Sequence, residues 1–358
     1  MSMQSRNDFR PNWASAPGET IADLLNQRGM SVSEFSRVLG ETLELTNEIL
    51  EGRAAITIGI ARKLERALGA SVQFWMSRDF HYREGIGRQT ADQDWLRELP
   101  LSDMIRFGWI KPTPRPSEEV SACLRFFRVP SVAAWRSAYG TLQRSYALRT
   151  SSTFESRSGA LAAWLRQAEI EADGIECGQW DVESFRRVLT TIRTLTREKA
   201  PAKFWPILQK LCASAGVAMV IVRCPSGCRA SGAARLLTPT KALLVLSFRY
   251  LSDDQFWFSF FHEAGHLVLH AARGLFVDGV EEAQSDEEQQ ANDFAANTLI
   301  PEEFQPVFRR LKLDSREIIR FSLRAGIAPG IVIGQLQHLG RLTPRQLNSL
   351  KRRYKWVD

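Results

Sequence analysis

At 358 residues the chain is too long for one ordinary hydrophobic core and fits two or three domains. Its 44% hydrophobic and 24% charged residues describe a globular protein, and no apolar run reaches the roughly 18 residues of a membrane span, so no membrane role is expected. A formal charge of +7 invites a nucleic-acid partner, while five scattered cysteines exclude a disulfide scaffold.

Residues 1–17 read as a flexible lead-in; the polar N-terminus, from Met1 to Thr20, lacks the apolar core of a signal peptide, which predicts a cytoplasmic protein. Residues 18–88 read as compact short helices divided by Gly29, Gly40, Gly52 and Gly69. Residues 89–200 form a helical connecting region in which Lys111-Pro112-Thr113-Pro114-Arg115-Pro116 is the best linker candidate, because closely spaced prolines forbid helix. Leu161, Trp164, Leu165 and Ala168 share one face at helical spacing. Residues 201–310 change texture: Val217 to Val222 and Ala242 to Phe248 read as two strands of a small sheet, with a turn at Pro225-Ser226-Gly227. Residues 311–358 form a basic helical region. The fold class expected is α+β and mostly α, an all-helical module followed by a metal-bearing domain with a small sheet.

His262-Glu263-Ala264-Gly265-His266 is an HExxH motif. Residues i and i+4 share a helix face, so both imidazoles can reach one zinc ion, and Glu263 can lie beside the open coordination position as a general base. Ser252-Asp253-Asp254-Gln255 has the form of a capping box at the helix start, and Phe256, Phe260 and Leu267 supply a buried face. A catalytic site needs a third protein ligand. The position ten residues after His262 is Ala272, which excludes the three-histidine pattern, and His270 lies one further turn along, in a structural role. An acid from the helix beginning Asp286-Glu287-Glu288 completes a two-His, one-carboxylate site; spacing alone leaves four acids open, among them Asp293. Cys224 and Cys228 form a CxxxC pair without a second pair or nearby histidines, which reads as small hydrophobes in a reducing compartment.

The segment Phe261-His262-Glu263-Ala264-Gly265-His266-Leu267-Val268-Leu269-His270, followed by Glu288-Gln289-Gln290-Ala291-Asn292-Asp293-Phe294-Ala295 and Leu299-Ile300-Pro301, closely resembles the ImmA/IrrE family of metallopeptidases over roughly residues 200–310. The resemblance implies a gluzincin-like fold with one zinc ion, held by His262, His266 and Glu288, and Glu263 as the catalytic base. It also implies a protein substrate, a repressor or regulator encoded nearby, in stress, prophage, mobile-element or toxin–antitoxin control. Such folds commonly bind substrate backbone along an edge strand, for which Lys241 to Arg249 is the candidate. The oxyanion-stabilising residue is open among Arg249, Tyr250 and His338.

Residues 18–84 resemble the helix-turn-helix domain of HigA-type antitoxins, a branch of the XRE family, through Ala22-Asp23-Leu24-Leu25, Met30-Ser31-Val32-Ser33-Glu34-Phe35, Leu39-Gly40 and Ile49-Leu50-Glu51-Gly52, and through Ala61-Arg62-Lys63-Leu64 and Phe74-Trp75. The implied recognition helix, Glu41 to Glu51, holds four glutamates and no Lys or Arg. Carboxylates repel phosphate, so Thr42, Thr46 and Asn47 are the candidates for base contacts, and DNA binding, protein docking and a homodimer all stay open. Between Gly18 and Glu84 there are 8 Lys/Arg against 10 Asp/Glu, and between Arg309 and Lys355 there are 12 against 2, so the basic charge lies at the other end of the chain. Two functions follow: a zinc endopeptidase that inactivates a regulator, or a DNA-binding, antitoxin-like regulator whose peptidase fold senses without cutting.

Overall fold

The computed structural model describes residues 15–147, 158–247, 249, 251–271, 276–277 and 286–355. The chain divides into two compact units, Met1–Trp95 and Leu96–Asp358. The fold is mostly helical with one small sheet, as the sequence suggests.

The first unit is built from α1 (Pro17–Arg28), α2 (Val32–Leu39), α3 (Leu43–Leu50), α4 (Ile58–Leu68) and most of α5 (Val72–Glu98). Its helices start and stop on local chemistry. Ser31 and Glu34 close a reciprocal capping box on α2, and the hydroxyls of Thr42 and Thr57 accept from Leu45 N and Ile60 N to cap α3 and α4. Gly29 and Gly40 end α1 and α2 at φ of +62° and +65°, where a Cβ would be strained. Ile21, Leu25, Phe35, Leu39, Ile49, Leu64 and Trp75 form the core.

The second unit runs α6 (Leu101–Arg106), α7 (Pro116–Phe127), α8 (Val132–Ala147), α9 (Ser158–Asp173), α10 (Val182–Leu195), α11 (Pro201–Ser214), β1 (Val217–Ile221), β2 (Gly232–Thr238), β3 (Lys241–Leu246), α12 (Asp253–His270), β4 (Phe276–Val277), α13 (Asp286–Leu299), α14 (Gln305–Arg309), α15 (Ser315–Ala325) and α16 (Pro329–His338). The proline-rich stretch Lys111–Pro116 lies inside this unit, and its last proline opens α7 at the position where a missing N–H costs nothing.

The sheet order is β1-β3-β2-β4, with β1 and β3 parallel and the other pairs antiparallel. Residues alternate between two faces. Ala218, Val220, Ala233, Leu243 and Val245 pack on Leu161, Trp164, Leu165 and Ala168 of α9, and the Trp164 indole donates to Val222 O at 2.8 Å. Val217, Met219, Ala234, Leu244 and Leu246 face Phe256, Trp257, Phe260 and Phe261 of α12. The helix that carries the HExxH motif is thus pressed on one face of a sheet that α9 backs. Phe256, Trp257, Phe260, Phe261 and Leu267 are all buried, a gross gain on the order of 10 kcal/mol at roughly 2 kcal/mol per side chain. That outweighs a cost of several kcal/mol for burying a carboxylate among them.

Two expectations are corrected. β2 reads Gly-Ala-Ala-Arg-Leu-Leu-Thr, a helix-like composition, and is not foreseen; its small residues are needed because it is covered on both faces. β3 pairs with β1 on one side and β2 on the other, so the Lys241–Arg249 segment is interior and cannot add a substrate strand.

The start of α12 is also built differently. Ser252 is the N-cap in extended conformation, but its side chain makes no cap bond. The C-terminal segment does the work instead: Asp253 N donates to Arg352 O at 3.1 Å, and Arg352 N donates to Asp253 Oδ1 at 3.0 Å. Lys351 Nζ donates to Asp254 Oδ2 at 2.6 Å, both groups being buried. Arg352 further donates to the carbonyls of Thr196, Arg197 and Glu198 at the end of α10, and Arg341 to those of Phe308 and Leu311 after α14. Three of the twelve C-terminal basic residues, Arg341, Lys351 and Arg352, therefore satisfy helix ends and buried carboxylates.

Candidate metal centre

His262 and His266 lie one turn apart on α12, and both are buried. Their Nε2 atoms are 3.1 Å apart, with ring planes inclined at 81°. α13 crosses beside them. Gly265, between the histidines, allows the approach: a Cβ there would sit 3.1 Å from the Phe294 ring and 3.2 Å from the Ala291 backbone of α13. The glycine before the second histidine of the motif is therefore fixed by helix packing.

α13 brings one carboxylate to the pair. Glu288 Oε2 lies 3.2 Å from His262 Nε2, and its Oε1 3.4 Å from His266 Nε2. Among the described residues, His262, His266 and Glu288 form the cluster able to hold a metal, each offering one donor atom with all three within 4.8 Å. Of the acids that spacing leaves open, Glu288 fills the gap; Asp293 is turned to Gln289, which donates to it at 2.9 Å. Burial alone would raise the Glu288 carboxyl, but hydrogen bonds and charge from His262 and His266 outweigh it and hold the group well below the usual carboxylate range. Two imidazole nitrogens and one carboxylate are the donor set that a zinc ion accepts.

Glu263 is wholly buried and faces β2. A Cβ on Gly232 would fall 2.5 Å from its Oε1 and 2.7 Å from its Cγ, so the bare glycine at the start of β2 makes room for this side chain. Asn292, which the sequence reading passes over, is one turn after Glu288 on α13, and its Oδ1 lies 3.0 Å from His262 Nδ1. The i, i+4 spacing that joins Glu288 to Asn292 is the signal that could have found it. His270 is buried, its ring centroid 5.9 Å from that of His266. Phe258 packs 6.3 Å from His262 on one side and 6.3 Å from the exposed His338 on the other. Arg249 donates to Arg229 O at 3.0 Å; Tyr250 and Ala272 lie outside the described residues.

In the first unit the three DNA-contact candidates do not act alike. The Thr42 hydroxyl is spent as the cap of α3. Thr46 is fully buried, and its hydroxyl donates to Thr42 O at 2.9 Å, which corrects the expectation that it faces a base edge. Asn47 is exposed. Val38 and Leu43 expose apolar surface beside these residues in sequence.

Two buried histidines and the half-buried Glu288 supply a donor set that a metal ion accepts. Residues 218–324 match the family model described as Peptidase M78, IrrE N-terminal-like domain. Over 83 residues the chain is also 30% identical to YddM of Escherichia coli (strain K12), described as an uncharacterized HTH-type transcriptional regulator, a match covering 23% of this chain and 88% of that protein. The chain carries a peptidase domain of the M78 (IrrE-like) family, and over those 83 residues it belongs with the HTH-type regulators. Among the described residues no helix is long and apolar enough to cross a membrane.

Proposed function

We propose that the chain is a zinc-dependent endopeptidase that cleaves a transcriptional regulator, with His262, His266 and Glu288 holding the ion and Glu263 as general base. The observation that carries this reading is the convergence of two Nε2 atoms and one carboxylate within 3.1–3.4 Å of one another. His262, His266 and Glu288 would hold a zinc ion, which would supply Lewis acidity to the scissile carbonyl and a bound water whose pKa falls towards about 7. Glu263, packed against Gly232, takes the proton of the attacking water and passes it to the leaving amine. Asn292 Oδ1 accepts from His262 Nδ1–H, which leaves the Nε2 lone pair free for the ion.

The HTH-like residues 18–88 address the enzyme to its regulator. Protein docking suits their acidic α3 better than DNA contact does, since its glutamates would meet phosphate. The similarity to an HTH-type regulator favours a second reading, a DNA-binding regulator that cuts nothing. Glu263→Gln separates the two. The variant should retain zinc and melting temperature yet lose cleavage of the co-expressed neighbouring regulator by about 100-fold or more. Wild-type behaviour of that variant in cells, with loss of function on disruption of residues 41–51, would instead support the regulator.

A further inference from the structure

A pair of thiols sits in the loop that leads into β2. Cys224 and Cys228 bracket a turn closed by Cys228 N donating to Pro225 O at 3.0 Å, with Gly227 at φ +86°. Ser226 N donates to the Asp103 carboxylate, which Arg106 pairs at 2.6 Å, so the turn is held from outside as well. Both cysteines are reduced, and their sulfurs lie 3.2 Å apart. A disulfide spans about 2.05 Å, so closure asks for an approach of about 1 Å, within the reach of side-chain rotation about a fixed turn.

We propose that Cys224 and Cys228 are a modification site, closed into an intramolecular disulfide by a small oxidant of the peroxide class. Hydrogen peroxide first converts one thiol to a sulfenic acid and leaves as one water. The second sulfur then displaces the hydroxyl, the S–S bond forms, and a second water carries away the remaining thiol hydrogen. Two thiols are oxidised by two electrons and one peroxide is reduced to two waters. A bulky disulfide such as oxidised glutathione is a poorer oxidant here, because Cys228 is only 7% exposed and Cys224 is half-buried. The hydrogen bond to Cys228, together with burial, pushes the Cys224 thiol above the ordinary range, which slows its attack on peroxide.

The pair is wired to the metal centre through the start of β2. Cys224 Sγ donates to Ala230 O at 3.4 Å, one residue before Ser231. Ser247 N and Oγ both donate to Ser231 O, at 2.9 and 3.2 Å. The next residue is Gly232, against which Glu263 rests. Oxidation removes the thiol hydrogen from this network and loosens the strand that seats the glutamate. This goes beyond the peptidase reading, since the thiol chemistry requires nothing to be cut.

The test is a thiol map of the full chain after hydrogen peroxide, denaturing alkylation and trypsin. Both cysteines fall in one peptide, Cys224–Arg229, between two arginine cleavage points. That peptide should appear two hydrogens lighter and unalkylated, revert with dithiothreitol, and leave Cys123, Cys177 and Cys212 alkylated. In the oxidised protein, amide exchange at residues 230–233 should rise. A doubly alkylated peptide after oxidation elsewhere in the chain, a sulfinic product in its place, or a loss of two hydrogens that persists in Cys228→Ser would each overturn the proposal.

Discussion

α12 and α3 both carry polar side chains in a pattern that reads as functional, and burial treats the two helices in opposite ways. On α12, His262, Glu263 and His266 are buried, and a neighbouring helix delivers Glu288 and Asn292 to them, so charge and lone pairs converge on one point. On α3, Thr46 is buried, Thr42 is consumed by its own helix, and Glu44 and Asn47 face solvent. Buried polar groups must be satisfied, so where they cluster they constrain one another into a site. Exposed groups of like charge constrain nothing, and their meaning depends on a partner.

Four predictions sharpen that contrast. The largest effect should come from Lys351→Met, which strands the buried Asp254 carboxylate at the start of α12; breaking such a pair costs about 3–5 kcal/mol, read as a fall in denaturation midpoint. A slightly smaller effect should appear with pH. Burial, reinforced by the charge of Asp254, raises the Asp253 carboxyl to about 6 against the Arg352 contacts that oppose it. An acid whose folded value lies above its unfolded value stabilises below the unfolded pKa, and this contribution is lost as pH rises through about 6. Metal-free wild type should therefore lose up to roughly 3 kcal/mol between pH 4 and 7 relative to Asp253→Asn. A parallel pH dependence in the two proteins would contradict the assignment.

Asn292→Ala should weaken zinc binding by about 10–100-fold in a chelator competition, with little change in the metal-free melting temperature. On the other side of the comparison, Thr42→Ala should cost about 1 kcal/mol through the lost cap, whereas Asn47→Ala should change stability by less than about 0.5 kcal/mol. Any effect of Asn47→Ala on partner binding then reports recognition rather than folding, and an effect on stability as large as that of Thr42→Ala would show that α3 is organised otherwise.

What could be read in the sequence follows from the same distinction. The HExxH spacing, the helical stripe of α9 and the strands β1 and β3 were legible because periodicity and residue type agree there. β2 was not, because its glycine and alanines are chosen by what presses on them, Glu263 above all, and not by strand propensity. The mistaken cap at Ser252 has a similar cause: the true partners of Asp253 and Asp254 lie about a hundred residues further on, at Lys351 and Arg352. Gly330 and Gly334 of α16 likewise matter because a Cβ at either would collide with those two aspartates. Long-range contacts of this kind leave no local signature. Glu288 is implied by the family resemblance, and the geometry that singles it out appears only when α13 is laid beside α12.

The most direct measurement is the zinc content and affinity of the purified full chain, compared with Glu288→Ala and with Glu287→Ala as a neighbour control. One equivalent of zinc in wild type and in Glu287→Ala, with stoichiometric binding lost in Glu288→Ala, is the result expected of a centre built from His262, His266 and Glu288. Absence of zinc from the wild type, or zinc held equally well without Glu288, would contradict it.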